Sequence, residues 1–183
     1  MRTIPKIKFL FLISLLISCQ SKVNELDIKD SNLSLVNNIL HYQEKPYSGI
    51  LYSKADTLVI YKATYVKGKK HGKEQKYFYN GDLAEQRFYN QGKNSGTHQS
   101  WWKKGQLKSE YHFNINADSI GLQREWHSNG KLAKQLNYVE GKENGTQKEW
   151  DFNGKIKANY IVINGERFGS IGSKNCKNDA YLD

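Results

Sequence analysis

The sequence lacks the motifs on which most enzymes depend. It has no G-x-S-x-G elbow, no H-E-x-x-H pair, no phosphate-binding glycine loop and no C-x-x-C motif. Its carboxylates are spread over the chain in the way that is typical of a solvated surface. We therefore expect a protein that is not an enzyme, with no catalytic residue and no cofactor.

The chain also lacks a long block of charge of one sign, although its formal net charge is +10. The lysines are scattered, which indicates a solvated basic face. Attraction of that face to an anionic membrane surface or glycan is an alternative, and we expect no nucleic-acid partner. A hydrophobic content of only 38% favours a thin, elongated structure over a globule with a central core.

The longest apolar run lies at the N-terminus and is too short to span a bilayer. It predicts a secretory signal over residues 1–18. The run ends in Leu-Ile-Ser-Cys, which resembles the lipobox of bacterial lipoproteins, where the cysteine is acylated. That resemblance implies a palmitate-bearing lipoprotein attached at Cys19, whereas an ordinary cleaved signal is the alternative. Because Gln20 and not aspartate follows the cysteine, we expect the outer membrane in preference to the inner one.

The residues that follow are polar and lack a sustained period, so residues 19–34 are predicted to be a flexible tether. The C-terminal residues 171–183 are polar and are predicted to be an irregular tail. Acylation of Cys19 would leave Cys176 without an intramolecular partner. Cys176, with lysines nearby, is therefore a candidate reactive thiol, and a lone inert thiol is the alternative.

What the sequence has in abundance is glycine at fixed intervals. The first set recurs every 23 to 25 residues, at Gly49, Gly72, Gly96, Gly121, Gly145 and Gly169. A second set follows four of these after nine residues, at Gly81, Gly105, Gly130 and Gly154. A third set closes each unit, at Gly68, Gly92, Gly141 and Gly165, with Asn116 in place of glycine once. A fixed period of this length indicates a repeat architecture.

Asparagine precedes three glycines of the second set, and Asn-Gly predicts a β-hairpin with a type I′ turn. The fold class that follows is all-β, an elongated single antiparallel meander of stacked hairpins over residues 35–170, with units that start near residues 49, 72, 96, 121 and 145. One hairpin alone would be marginal in water, so neighbouring units must stabilise each other.

Period-2 alternation assigns the aromatic and aliphatic residues of both strands to one face of this sheet. They are Tyr77, Trp101, Trp126 and Trp150 with Leu83, Leu107, Leu132 and Ile156, and Tyr89, Phe113, Tyr138 and Val162. The opposite face is predicted to be wet. Its aromatic residues Phe78, Phe88 and Trp102 are our candidates for a binding face, because exposed aromatic side chains are enriched at contact surfaces.

Three histidines on the predicted wet face form a weak candidate metal site. His98 and His112 fall on the two strands of one hairpin, and His127 begins the next unit. Imidazoles on neighbouring strands can bind zinc, copper or nickel. The alternative is three exposed histidines without a ligand, and our expectation for the chain as a whole is no metal.

The repeated unit resembles the MORN-repeat variant of bacterial proteins commonly labelled YwqK-family antitoxins. Four clear copies and a degenerate first copy near residues 45–58 carry the resemblance. It implies a non-enzymatic module that binds or scaffolds a protein partner, in a chain tethered to the membrane by its N-terminal lipid. Two alternatives stay open, an antitoxin or immunity protein that neutralises a toxin, and a binder of anionic lipid or glycan.

Overall fold

The computed structural model describes residues 24–103 and 105–170, and these residues form β-strands and turns. The first five strands lie before residue 56: β1 (Glu25–Asp27), β2 (Leu33–Val36), β3 (Ile39–Tyr42), β4 (Lys45–Pro46) and β5 (Gly49–Ala55). The next five are β6 (Leu58–Val66), β7 (Lys69–Tyr77), β8 (Leu83–Asn90), β9 (Lys93–Trp101) and β10 (Leu107–Phe113). The last five are β11 (Gly121–Trp126), β12 (Leu132–Val139), β13 (Lys142–Trp150), β14 (Ile156–Ile163) and β15 (Glu166–Ser170).

Strands β5 to β15 pair in sequence order and antiparallel, which confirms the predicted all-β meander of stacked hairpins. Strand β1 extends this sheet to 12 strands by pairing parallel to β5. Strands β2, β3 and β4 form a separate three-stranded sheet. The described part of the chain therefore adds a second small sheet to the single one predicted.

The predicted tether is wrong for residues 24–34, because this segment is part of the fold. Leu26 pairs with Leu51 in the parallel ladder, and Leu33 begins the small sheet. Tyr47 is buried and donates its hydroxyl hydrogen bond to the carbonyl of Asn24, at 2.9 Å. Leu40, Tyr47 and Leu51 form the hydrophobic cluster that holds this N-terminal segment against the first hairpin.

The turns within the hairpins differ from the predicted type. The amide of Gly81 donates to the carbonyl of Phe78 at 2.9 Å, and the amide of Phe78 donates to the carbonyl of Asp82 at 2.8 Å. Gly81 has φ +87°, but Asn80 does not have a positive φ. This is a three-residue loop with glycine in the left-handed position, and the Asn80 side chain accepts from the Asp82 amide at 3.1 Å.

Type I′ turns instead join one hairpin to the next. Gln91 and Gly92 both have positive φ, 51° and 85°, as do Lys67 and Gly68, 49° and 76°. The connection after β10 is instead a three-residue loop like that of Gly81, in which the amide of Ala117 donates to the carbonyl of Asn114 at 3.1 Å. Its left-handed residue is Ala117, with φ 74°, and not Asn116 as the sequence suggested.

A β-bulge in each hairpin overturns the predicted division of the two faces. Lys76 pairs with Glu85 whereas Tyr77 pairs with Leu83, so Ala84 is an extra residue. The same shift recurs in the next three hairpins and leaves Lys108, Ala133 and Lys157 as the extra residues.

Because the bulge reverses the alternation, the aromatic residues are divided between the two faces. Tyr77 lies with Leu83, and Trp101 with Leu107. Tyr89 lies on the other face with Glu74, which accepts its hydroxyl hydrogen bond at 3.0 Å. The face that carries Glu74 is called the groove face below, and the one that carries Trp101 the opposite face.

Candidate functional site

Buried polar side chains occupy one equivalent position in four successive repeats of the groove face. Two residues after the opening glycine of each unit stand Glu74, His98, Gln123 and Gln147, which are 3%, 6%, 4% and 0% exposed. Buried polar groups are stable only when they are hydrogen-bonded, so each of these side chains has partners that fix it in place.

The two glutamines bond to the backbone of the preceding strand where the ladder is interrupted. The register shifts between Leu136 and Tyr138, and Gln147 accepts from the Asn137 amide and donates to the Asn137 carbonyl, each at 2.9 Å. Gln123 accepts from the amide of His112 at 2.8 Å and donates to its carbonyl at 3.0 Å. These side chains replace the missing backbone pairs.

His98 lies between aromatic rings at the same position. Its ring centroid is 4.6 Å from that of Phe113 and 5.8 Å from that of Tyr89. Nε2 donates to the carbonyl of Phe88 at 2.8 Å. Burial lowers the pKa of His98 below its ordinary value, although the hydrogen bond to Phe88 opposes the shift.

Glu74 bonds to side chains and not to the backbone. Its carboxylate accepts from the hydroxyl of Tyr61 at 3.1 Å and from that of Tyr89 at 3.0 Å, and it pairs with Lys70. Burial disfavours the charge, but Lys70 and the two hydroxyls outweigh it, and the pKa of Glu74 is lower than its ordinary value. Burial raises the pKa of Tyr61 and of Tyr89.

A groove of about 660 Å³ opens on this face and crosses the strands β8 to β14. Directly opposed residues form one row along its floor, because partners in an antiparallel ladder share a face. In strand order from β8 to β13 this row is Glu85, Ser100, Ser109, Glu125, Lys134 and Glu149.

The row is partly held by internal contacts. Glu85 pairs with Lys76 at 2.8 Å and with Arg87, so the pKa of Glu85 lies below its ordinary value even though burial opposes the shift. Ser100 and Ser109 hydrogen-bond at 2.6 Å. Tyr111 donates to Glu125 at 2.7 Å, and burial together with Glu125 raises the pKa of Tyr111, so its hydroxyl stays a donor.

Trp102, one of the three aromatic candidates for a binding face, lines the groove. Its indole Nε1 donates to the carbonyl of Trp126 at 3.0 Å, and Lys108 Nζ lies 4.5 Å from the ring centroid. The indole is therefore held by these two contacts while it remains partly exposed.

The other two aromatic candidates do not join Trp102 in one patch. Phe78 occupies the equivalent loop position one repeat earlier: its amide donates to Asp82 at 2.8 Å, as that of Trp102 donates to Gln106 at 2.7 Å. Phe88 pairs with Lys73 and lies on the opposite face. The expectation that all three share a face is wrong for Phe88.

The candidate metal site at His98, His112 and His127 is also wrong. Tyr111 pairs with His98 and Thr97 pairs with His112, so these two histidines lie on opposite faces. His112 Nδ1 is 3.0 Å from the hydroxyl of Thr97, and His127 Nε2 is 3.1 Å from the carbonyl of Trp150. Within residues 24–103 and 105–170, no group of three possible ligands is close enough to hold a metal ion.

Sequence reasoning missed the groove and the buried polar position. In the sequence, the charged residues of the row are typical of a solvated surface. Nothing in the sequence marks the four bulge positions, which are Ala84, Lys108, Ala133 and Lys157. A signal was nevertheless present, since a residue with hydrogen-bonding capacity stands two positions after four of the six opening glycines, from Gly72 to Gly145.

The remaining predicted features lie outside the described residues. They are the signal at residues 1–18, the lipid attachment at Cys19, the tail at residues 171–183 and the thiol of Cys176. In the described part of the chain there is no helix of the length and hydrophobicity needed to cross a membrane.

Comparison with known families identifies the repeated hairpin. The family described as MORN repeat variant matches residues 70–91, 95–114, 120–140 and 143–161. These four segments correspond to the four hairpins from β7 to β14 that carry the buried polar position. No curated protein matches the chain.

Proposed function

Since the chain belongs to the MORN repeat variant family, whose repeats are generally associated with protein or membrane binding, we propose that it is a protein-binding module whose binding surface is the groove face. MORN repeats are a non-catalytic module, and the role we propose is binding or scaffolding without catalysis.

The observation that carries this proposal is the position of Trp102. Tryptophan is among the residues that contribute most to binding energy in protein interfaces. The Trp102 ring is held by Trp126 and Lys108, so little side-chain entropy would be lost when a partner packs on it.

The charges of the groove favour a polypeptide over an anionic membrane. Glu85, Glu125 and Glu149 alternate along the groove with Lys108, Lys134 and Lys157. An anionic membrane attracts surfaces of one sign, whereas an array of both signs can select a partner through complementary charges and suppress wrong ones.

Site-specific crosslinking in the native envelope tests the proposal. A tagged full-length chain is compared with Trp102→Ala, and the control is Trp101→Ala, which removes the neighbouring indole from the opposite face. Thermal unfolding of both variants first establishes that they fold. We expect one protein to be crosslinked by the unchanged chain and by Trp101→Ala, and to be lost with Trp102→Ala.

Equal capture by both folded variants would refute the groove as the binding surface. Recovery of lipid and bulk envelope proteins alone would refute the protein-binding function. The antitoxin alternative is separated by the nature of the partner: it requires that the captured protein is toxic when it is produced without this chain.

We also propose that the chain is tethered to the envelope through a lipid on Cys19, in the outer membrane in preference to the inner one. Labelled palmitate should be incorporated into the full-length chain and be absent from Cys19→Ala. Incorporation into the variant, or none into either chain, would contradict the tether without affecting the groove.

A further inference from the structure

Lysine side chains border the groove on alternate strands. Lys108 lies on β10, Lys134 on β12 and Lys157 on β14, and all three line the groove. In the part of the chain that the structure describes, no salt bridge involves any of them. Their ammonium groups are therefore available to a ligand.

The carboxylates of the groove are less available. Glu85 is neutralised by Lys76 and Arg87, and Glu125 accepts from Tyr111. Glu125 keeps its charge, and Glu149, the remaining carboxylate among the described lining residues, lies between Lys134 and Lys157. The three lysines exceed these two carboxylates by one positive charge, which favours an acidic ligand.

The spacing of the lysines restricts the conformation of that ligand. Neighbouring strands are about 4.8 Å apart, so the strands β10, β12 and β14 that carry the lysines recur about every 9.6 Å across the sheet. A polyproline II chain rises about 3.1 Å per residue with three residues per turn, so its equivalent side chains recur about every 9.3 Å. In a β-strand, side chains on one side recur about every 6.6 Å, which does not fit.

We propose that the groove binds a polyproline II segment of a partner protein that carries an acidic residue at every third position. This inference rests on the protein-binding function proposed above and specifies the chemistry of the partner. Each acidic side chain meets one of Lys108, Lys134 and Lys157, and the other two positions of each turn point away from the lysines.

Trp102 completes this site at its β9 end. Domains that bind polyproline II segments do so in grooves lined by aromatic side chains. The preformed polyproline II helix loses little conformational entropy on binding. Lys108 lies over the Trp102 ring, so the first acidic residue of the segment and the apolar residue next to it would contact neighbouring side chains.

Synthetic peptides test the inference on the full-length chain. The first is Glu-Pro-Pro repeated three times, which places its acidic residues over about 19 Å, the span from β10 to β14. The second has the same composition with the three glutamates adjacent, and the third replaces each glutamate with lysine. Fluorescence anisotropy of labelled peptides at low salt should show binding of the first and at least about 5-fold weaker binding of the other two.

Variants locate the peptide on the groove. Lys134→Ala and Lys157→Ala should each weaken binding of the first peptide about 2- to 5-fold, the range for one partly exposed ion pair. Lys148→Ala is the control, because Lys148 lies on the opposite face of β13 and pairs with Gln135 and Asn159. It should leave the affinity unchanged.

The outcomes separate this inference from the function on which it rests. Equal affinity for the first two peptides would overturn the three-residue spacing, and equal effects of Lys148→Ala and Lys134→Ala would overturn the site. If no peptide binds but crosslinking to a protein still depends on Trp102, the ligand class is wrong and the protein-binding function stands. Loss of that crosslinking dependence would overturn both.

Discussion

The side-chain amide of Gln147 takes the place of a backbone partner for Asn137. It accepts from the Asn137 amide and donates to the Asn137 carbonyl, at 2.9 Å each, at a point where β12 and β13 do not pair directly. A glycine two positions earlier, Gly145, has φ 75° and lies where the register of β12 and β13 shifts. The repeat therefore uses one polar side chain to join neighbouring hairpins.

Replacing Gln147 with alanine should destabilise the chain strongly. The change removes the two hydrogen bonds to Asn137 and leaves its amide and its carbonyl without partners, so we expect the free energy of unfolding to fall by about 2–4 kcal/mol. Glu should be poorly tolerated as well, since a carboxylate can accept from the Asn137 amide but cannot donate to its carbonyl. Urea unfolding measures both effects.

The control for Gln147 is Gln135→Ala, which removes a glutamine from the opposite face of the neighbouring strand. We expect it to change the free energy of unfolding by less than about 0.5 kcal/mol. If Gln135→Ala and Gln147→Ala lower the free energy of unfolding by similar amounts, the hydrogen bonds to Asn137 do not stabilise the chain.

His98 should make stability depend on pH in the mildly acidic range. Its pKa is lowered in the folded chain from an ordinary value of 6.5, so the unfolded chain binds the proton more readily. Stability should therefore be unaffected well above pH 6.5 and should fall as the pH drops below 6.5, by up to about 1.4 kcal/mol per pH unit.

The variant that isolates this effect is His98→Gln, because glutamine occupies the equivalent position in the next two repeats. We expect His98→Gln to fold and to lose less stability than the unchanged chain between about pH 7 and about pH 5, since it cannot bind the proton. Parallel pH curves for the two proteins would exclude His98 as the cause.

The hairpin architecture could be read from the sequence because glycine adopts a positive φ without strain and therefore recurs at the turns. Gly81, Gly92 and Gly96 all do so, and their spacing fixes the length of each strand. The type of turn could not be read, because Asn-Gly suits both a two-residue type I′ turn and a three-residue loop with glycine last.

The arrangement of the faces could not be predicted, because one unmarked residue decides it. A bulge at Ala84 or Lys108 turns every later side chain of the strand to the other face. This error placed His98 beside His112 and separated Tyr89 from Glu74. The groove was missed for the same reason, since its floor consists of residues whose alignment depends on the bulges.

Ala117 should be a site where glycine stabilises the chain. It has φ 74°, a conformation that costs residues with a Cβ about 1–2 kcal/mol. Glycine also makes the unfolded chain more flexible, at a cost of about 0.4–1 kcal/mol. We expect Ala117→Gly to raise the free energy of unfolding by about 0.5–1 kcal/mol, measured by urea or thermal unfolding.

The reciprocal change is Gly81→Ala, at the corresponding place in the loop between β7 and β8. A Cβ at Gly81 would meet no atom within 4 Å, so backbone strain at φ +87° is the main effect. We expect a loss of about 1–2 kcal/mol. A loss of stability in Ala117→Gly would mean that the Ala117 methyl group contributes more than the strain costs.

Glu74 should stabilise the repeat that begins at Gly72 through its charge. Its pKa is lower in the folded chain than the ordinary value of 4.5, because the favourable contacts with Lys70, Tyr61 and Tyr89 exceed the cost of burial. The contribution is therefore fully present above pH 4.5 and is lost as the pH falls through the folded value. Glu74→Ala removes the acceptor of the Tyr61 and Tyr89 hydroxyls and the partner of the partly exposed Lys70, so we expect a loss of about 1–3 kcal/mol near neutral pH. Glu74→Gln should lose less stability than Glu74→Ala and should lack this part of the acid dependence.

Urea unfolding from neutral pH down to about pH 3 distinguishes the two variants, with Glu166→Gln on the exposed strand β15 as the control. An acid dependence of Glu74→Gln equal to that of the unchanged chain would refute the role of the carboxylate.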